Sequence, residues 1–156
     1  MFYRCDNLTS FNRCDNLTSF NPDLPSLTDG NLMFHRCSKL TSFFADLSSL
    51  MNGTYMFDNC TKLTTFISDL SSLANGHGMF YYCENLTTFS SDLSSLTNGQ
   101  AMFSYTKISS FTSDLSSLEN GTNMFSCCGV GKITHFESNL RSLINGYRMF
   151  DNCSNL

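Results

Sequence analysis

The chain has 156 residues, of which 41% are apolar and 14% charged, with a formal net charge of −4. That apolar content argues against a disordered chain, which would lack the surface needed to offset its ordering entropy. Nine Lys and Arg residues, spread singly from Arg4 to Arg148, give no basic stripe for a phosphate backbone, so no nucleic-acid partner is expected.

No apolar run approaches the roughly 18 residues of a membrane span, and no membrane insertion by this segment is expected. The start, MFYRCDNLT, also lacks the charged beginning and apolar middle of a secretory signal. Residues 1–9 form a partial half-unit: Phe2, Cys5, Leu8 and Phe11 recur nine residues later as Phe11, Cys14, Leu17 and Phe20, with no second half between. Such a fragment cannot complete a coil and is expected to fray or to form an improvised cap.

Residues 10–148 hold six repeats, the first with Ser10 in the position of Met. Met-Phe opens later units at 33, 56, 79, 102, 124 and 149, at spacings of 23, 23, 23, 22 and 25. Self-similarity at this period marks a stack of supersecondary units. Residues 149–156 begin a seventh unit that stops partway, and Met1-Phe2 matches the internal pairs, so the chain reads as a segment of a longer array.

Each unit has a second half of fixed length. Phe66, Leu70, Leu73 and Gly76 recur as Phe89, Leu93, Leu96 and Gly99, and again as Phe136, Leu140, Leu143 and Gly146. Length varies only between Met-Phe and the next Leu or Ile, as expected of a surface bend.

Within a unit, LTTF at 63–66 predicts a short strand from its Thr and Phe content. Ser68-Asp69 ends it, the Asp side chain accepting from N–H groups of the turn LSSL. Asn75-Gly76 is then expected to supply a positive φ. Met79, Phe80, Cys83 and Leu86, spaced by one, three and three, predict a short helical turn that buries one side. One coil alone cannot offset its ordering entropy; stacking makes the Phe and Leu columns continuous and turns stability into a nearest-neighbour property.

The segments MFDNCTKLTTF at 56–66 and MFYYCENLTTF at 79–89 resemble the leucine-rich repeats of BspA-type bacterial surface proteins. Units of that family carry Met/Ala-Phe-x2-Cys-x2-Leu-Thr and then further spaced leucines. The resemblance implies an α/β, right-handed leucine-rich-repeat-like solenoid with short parallel strands and short helical turns, at about 23 residues per coil. It also implies a location at the cell surface or outside the cell, a role in adhesion or protein binding, and a protein or surface glycan as ligand; no cofactor is expected. The residue two after the strand Phe, often apolar in such repeats, is here Pro22, Ala45, Ser68, Ser91, Ser113 and Ser138, so a thinner core is expected on that side. MFSYTKI at 102–108 puts Thr106 in the Cys position and loses one residue, while MFSCCGVGKI at 124–133 keeps Cys128 there and gains two, which predicts a bulge.

Cys14, Cys37, Cys60, Cys83, Cys128 and Cys153 share one repeat column at coil spacing, unlike the close pairs of zinc sites. Buried reduced thiols are expected; stacked coils would bring the Cα atoms within disulfide reach, though parallel Cβ vectors fit a disulfide poorly. Cys127, outside the column, is the best candidate for an accessible thiol. Asp23, Asp46, Asp69, Asp92 and Asp114 also stack, with Asn139 ending the column. Each is expected to cap its own turn; the alternative is a calcium-binding carboxylate ladder, for which no glycine-rich loop is present.

His35, His77 and His135 fall at different repeat positions and read as solvated surface residues, with no nucleophile arrangement around them. Gly131-Lys132 precedes Ile133 where a phosphate loop needs Ser or Thr. The sequons Asn52-Gly53-Thr54 and Asn85-Leu86-Thr87 follow from the repeat composition. Neither a catalytic nor a metal site is expected.

The informative positions are those that vary while their neighbours repeat. Directly after the strand Phe come Asn21, Phe44, Ile67, Ser90, Thr112 and Glu137, which period-two alternation points outward if Phe points inward. These six are the candidate ligand-binding residues, with Phe44 and Ile67 forming an apolar patch; the competing reading is drift on a tolerant surface. The chain is expected to be a non-enzymatic interaction or adhesion module. The alternatives are a structural spacer, or an accessory repeat segment of an enzyme whose catalytic domain lies elsewhere.

Overall fold

The computed structural model describes residues 11, 13–127 and 133–156. The half-unit at 1–9, Cys128 and the predicted bulge at 128–132 lie outside the described residues. Five short strands follow one another: β1 (Ser19–Phe20), β2 (Ser42–Phe44), β3 (Thr65–Ile67), β4 (Ser110–Phe111) and β5 (His135–Phe136). They form two parallel sheets, β1-β2-β3 and β4-β5. In the first, Phe20 pairs with Phe43 and Phe43 with Phe66; in the second, Phe111 pairs with Phe136. Each strand thus lays its Phe on the equivalent Phe of the next unit. Phe89 of the fourth unit continues the column between the sheets, and the ring spacing widens there to 6.1 and 6.2 Å.

The core is built of columns. The Met, Phe, Cys and Leu positions of the interior units, from Met33 to Phe125, are almost fully buried. Two Phe columns interlock: Phe34, Phe57, Phe80 and Phe103 stack nearly parallel at 5.3 to 5.6 Å. The strand phenylalanines meet them edge-on, Phe43 to Phe57 and Phe66 to Phe80 each at 4.8 Å. Both arrangements satisfy the ring quadrupole.

Where a helical turn is expected there is none; no described residue is helical. The segment around each Met-Phe is instead a run of consecutive turns. Alternate N–H groups leave the coil altogether: those of Gly30, Leu32, Phe34 and Arg36 donate to the carbonyls of Asn52, Thr54, Met56 and Asp58. The residues between close local turns, Met33 N to Gly30 O, His35 N to Leu32 O and Cys37 N to Phe34 O. An α-helix needs every N–H for its own i−4 carbonyl, so this division of donors forbids it. Two left-handed residues per unit reinforce the point, as with Leu32 and Arg36 (φ 56° and 60°) and Tyr55 and Asn59 (φ 50° and 58°). No helix is long and apolar enough to cross a membrane among the described residues.

The glycine after each rung has a different task from the one expected of it. Gly76 does not have positive φ; the residue two later does, Gly78 at 58°, and its equivalents Leu32, Tyr55, Ala101, Asn123 and Arg148 take the same conformation without being glycine. Gly76 is needed for space: a Cβ there would stand 2.8 Å from Met102 Sδ and 3.2 Å from Leu96 Cδ1. Gly30 and Gly53 face Met56 and Met79 of a later unit in the same way. The Asn preceding each glycine forms a second parallel ladder, Asp29, Asn52, Asn75, Asn98, Asn120 and Asn145 being bridged in succession.

Candidate functional site

Strand alternation sets the candidate surface. Phe43 and Phe66 point into the core, so the next residues, Phe44 and Ile67, are turned out and stand 41% and 62% exposed. Asn21, Ser90, Thr112 and Glu137 are exposed as well. All six variable residues therefore lie on one exposed column beside the strands. Two shallow depressions flank it, one of about 420 Å³ where Ile67 and Ser90 meet Asp46 and Asp69, the other of about 580 Å³ where Thr112 and Glu137 meet Asp114 and Asn139.

Two polar columns hold this edge. In the Ser column, Ser91 Oγ donates to Ser68 O, Ser113 Oγ to Ser91 O and Ser138 Oγ to Ser113 O, each at 2.8 Å. Small residues here thus serve to bond one coil to the next. Next to it the Asp column caps turns: Oδ1 of Asp46, Asp69, Asp92 and Asp114 accepts from the backbone N–H of Ser48, Ser71, Ser94 and Ser116 at 2.8 to 2.9 Å. Asn139 does the same for Arg141 at 3.1 Å. The Ser71 N–H holds the Asp69 carboxyl below the usual carboxylate range. The rim of the surface is consequently acidic.

The bend around Met-Phe carries a second set of distinctive side chains that the repeat reading treated as adjustable loop. Tyr82 and Tyr105 stack at 4.3 Å, and Tyr81 meets both edge-on at 4.7 and 5.7 Å. Tyr55 Oη lies 3.0 Å from His77 Nε2. His35 Nδ1 approaches Asp58 Oδ2 to 2.9 Å. Burial pushes the Asp58 carboxyl up, with His35 opposing it. Of the three histidines expected on the surface only His135 is well exposed; His35 and His77 are half-buried with partners, because stacking sets adjacent bends side by side. The Tyr81-Tyr82 pair was the visible signal for this cluster.

The described cysteines are all free thiols. Cys37, Cys60, Cys83 and Cys153 donate from Sγ to the carbonyls of Phe11, Phe34, Phe57 and Phe125, each at 3.2 Å, so the column bonds neighbouring coils. Burial raises the Cys37 thiol to about 11 and pushes the Cys60 and Cys83 thiols up as well. Cys127 is half-exposed, with Asn152 Nδ2 at 3.5 Å from its sulfur. Iodoacetamide at neutral pH is expected to label Cys127 in the native protein, and Cys60 and Cys83 only after unfolding. Equal native labelling of Cys60 and Cys127 would contradict the buried column. Among the described residues, no three His, Cys, Asp or Glu side chains converge to hold a metal ion.

Comparison with known proteins fits this architecture. No curated protein matches the sequence. A leucine-rich repeat protein from Bacteroides ovatus, solved by crystallography, superposes with a TM-score of 0.53 at 21% identity. The match covers 75% of this chain and 39% of that protein, so the chain spans well under half of its structural relative. The model of the BspA type leucine rich repeat region matches residues 27–156 in six copies. With the Met-Phe, Cys and Leu-Thr columns all found where stacked coils need them, the chain belongs to the BspA type leucine-rich repeat family.

Proposed function

We propose that this chain is a non-enzymatic protein-interaction or adhesion module, part of a protein displayed at the cell surface or secreted, and that Asn21, Phe44, Ile67, Ser90, Thr112 and Glu137 form its contact column. The observation that carries the reading is the exposure of all six, while a Phe precedes each of them and a small residue, mostly Ser, follows. With it we infer a right-handed winding at about 23 residues per coil, as the family resemblance implies. An extended stacked-strand surface suits partners larger than a small molecule. Phe44 and Ile67 supply its apolar centre, bordered by the acidic rim of Asp46 and Asp69, an arrangement of anchor and polar surround typical of binding hot spots. The ligand class is a protein or a surface glycan.

Binding of the chain to a panel of immobilised extracellular-matrix proteins and to a glycan array tests this. The double substitution Phe44→Ser/Ile67→Ser is expected to weaken the strongest contact by about tenfold or more, the loss expected on removing two hot-spot side chains. Unchanged binding removes the column from consideration. A spacer, in contrast, would ignore that substitution and respond to the number of coils.

A further inference from the structure

The bend around Met-Phe carries a row of equivalent residues with left-handed backbone, Arg36, Asn59, Tyr82, Tyr105, Cys127 and Asn152, at φ 54° to 60°. Tyr82 of the fourth unit and Tyr105 of the fifth are neighbours in this row. Their rings lie within 4° of parallel with centroids 4.3 Å apart, closer than the Phe34–Phe57 and Phe57–Phe80 stacks of the core at 5.3 and 5.5 Å.

The pair is fixed from beneath and open above. Phe80 and Cys83 on either side of Tyr82, and Phe103 and Thr106 on either side of Tyr105, are fully buried. Tyr82 N donates to Ser104 O and Tyr105 N to Ser126 O, each at 3.1 Å, which holds the two main chains in register. The rings reach solvent: Tyr105 is 38% exposed and Tyr82 half-buried. Tyr81 crosses both at 87° and 88°, and Tyr55 is engaged with His77 at 3.0 Å. Among the described tyrosines, Tyr82 and Tyr105 alone meet ring face to ring face.

That is the approach by which two phenoxyl radicals couple. Their unpaired spin lies partly on the ring carbons ortho to oxygen, and the new bond forms across the ring faces as those carbons become tetrahedral. Near-attack separations are about 3–3.5 Å, so the stack needs to close by only about 1 Å. We propose that Tyr82 and Tyr105 are a site of oxidative cross-linking, joined carbon to carbon when a peroxide-driven one-electron oxidant of the haem peroxidase class reaches the bend. In the step each phenol gives up one electron and its hydroxyl proton, and the two electrons and two protons reduce one hydrogen peroxide to two waters. The two ortho carbons bond, and the hydrogen on each then moves to its phenol oxygen, which restores both aromatic rings. The product is lighter by two hydrogens and staples the fourth unit to the fifth. The Cys127 thiol beside the Tyr105 hydroxyl, with Tyr82 next to it, pushes that phenol up, so at neutral pH its proton leaves together with the electron. The same thiol is the competing hydrogen donor at the site.

The test treats the 156-residue chain, dilute and at neutral pH, with a haem peroxidase and limiting hydrogen peroxide. Fluorescence of the biaryl product and peptide mapping by mass read the outcome. A Tyr82–Tyr105 linkage within one chain is expected to exceed every other tyrosine linkage by about tenfold or more, because rings held together react at effective concentrations far above those of dissolved partners. Tyr82→Phe and Tyr105→Phe are each expected to remove the linkage and its fluorescence, and Tyr81→Phe to leave both in place. A chain left unlinked, linkages spread evenly over the six tyrosines, a Tyr105–Cys127 thioether in place of the biaryl, or fluorescence that survives Tyr82→Phe overturns the proposal.

Discussion

Truncation of Phe57 to Ala is expected to lower the unfolding free energy by about 3–5 kcal/mol, the cost of emptying a large aromatic site in a packed core. Phe57 is fully buried. Its ring stacks on Phe34 and Phe80 at 5.3 and 5.5 Å and meets Phe43 and Phe66 edge-on at 4.8 and 5.5 Å. Each such pair contributes about 0.5–1.5 kcal/mol beyond area burial, so the loss belongs at the upper end of that range. Phe150→Ala provides the comparison. Phe150 contacts Phe125 and Phe136 at 5.5 and 4.9 Å and is only partly buried, so its truncation should cost about half as much or less. Urea denaturation of both variants measures the difference. Equal losses would mean that the two Phe columns do not act through nearest neighbours.

The second large effect is expected at the ladder. Asn75→Asp should destabilise the protein by about 2–3 kcal/mol at neutral pH, through lost donors and a partly buried charge facing an oxygen. Asn75 Nδ2 donates to Asn52 Oδ1 at 3.2 Å and to Thr54 Oγ1 at 3.0 Å. Its Oδ1 accepts from His77 N at 3.2 Å and Asn98 Nδ2 at 3.0 Å. A carboxylate keeps the two acceptor roles and forfeits the two donor roles. Facing Asn52 Oδ1, the introduced carboxyl should have a folded-state pKa above its unfolded value. The penalty is then small below the unfolded pKa, and grows to its full size as pH rises through the folded one.

Asp29 is the natural control for this effect. It accepts from Asn52 Nδ2 at 2.9 Å and from Asn31 N at 3.0 Å, and no ladder rung precedes it among the described residues. Asp29→Asn should therefore stay within about 0.5 kcal/mol of the parent. Thermal unfolding of the two variants from about pH 3 to about pH 8 separates the cases, a window that starts below the ordinary Asp value of about 3.9. A neutral Asn75→Asp would show that the ladder adds nothing to stability.

Much of the architecture was legible because its causes repeat along the chain. Phe43, Phe66 and Phe111 recur at strand position and fill one core column, and a Thr-Phe strand beside an invariant Leu spacing is enough to predict that. The Asp caps were legible for the same reason: Asp69 needs only the N–H of Ser71, two residues away. Outward placement of Phe44 and Ile67 followed from period-two alternation alone. In each case the deciding interaction is local, or is a copy of itself in the neighbouring coil.

What escaped depends on groups that bond across coils. The bend at Met79, Phe80 and Cys83 has apolar spacing suited to a helical turn, yet Gly78, Phe80 and Tyr82 send their N–H groups to Gln100, Met102 and Ser104 of the next unit. Left-handed residues then fall at Leu32, Tyr55 and Ala101, types that give no hint of positive φ, while the conspicuous Gly76 is reserved for the approach of Met102. Likewise nothing in an isolated Asn-Gly distinguishes a ladder rung from a turn. The sequence by itself determined the columns, their inward and outward faces and the capped strand ends, because these follow from periodicity and short-range bonds. Only the stacked structure decided the backbone of the bend, the Asn ladder and the tyrosine cluster, because each rests on donors and acceptors that the neighbouring coil supplies.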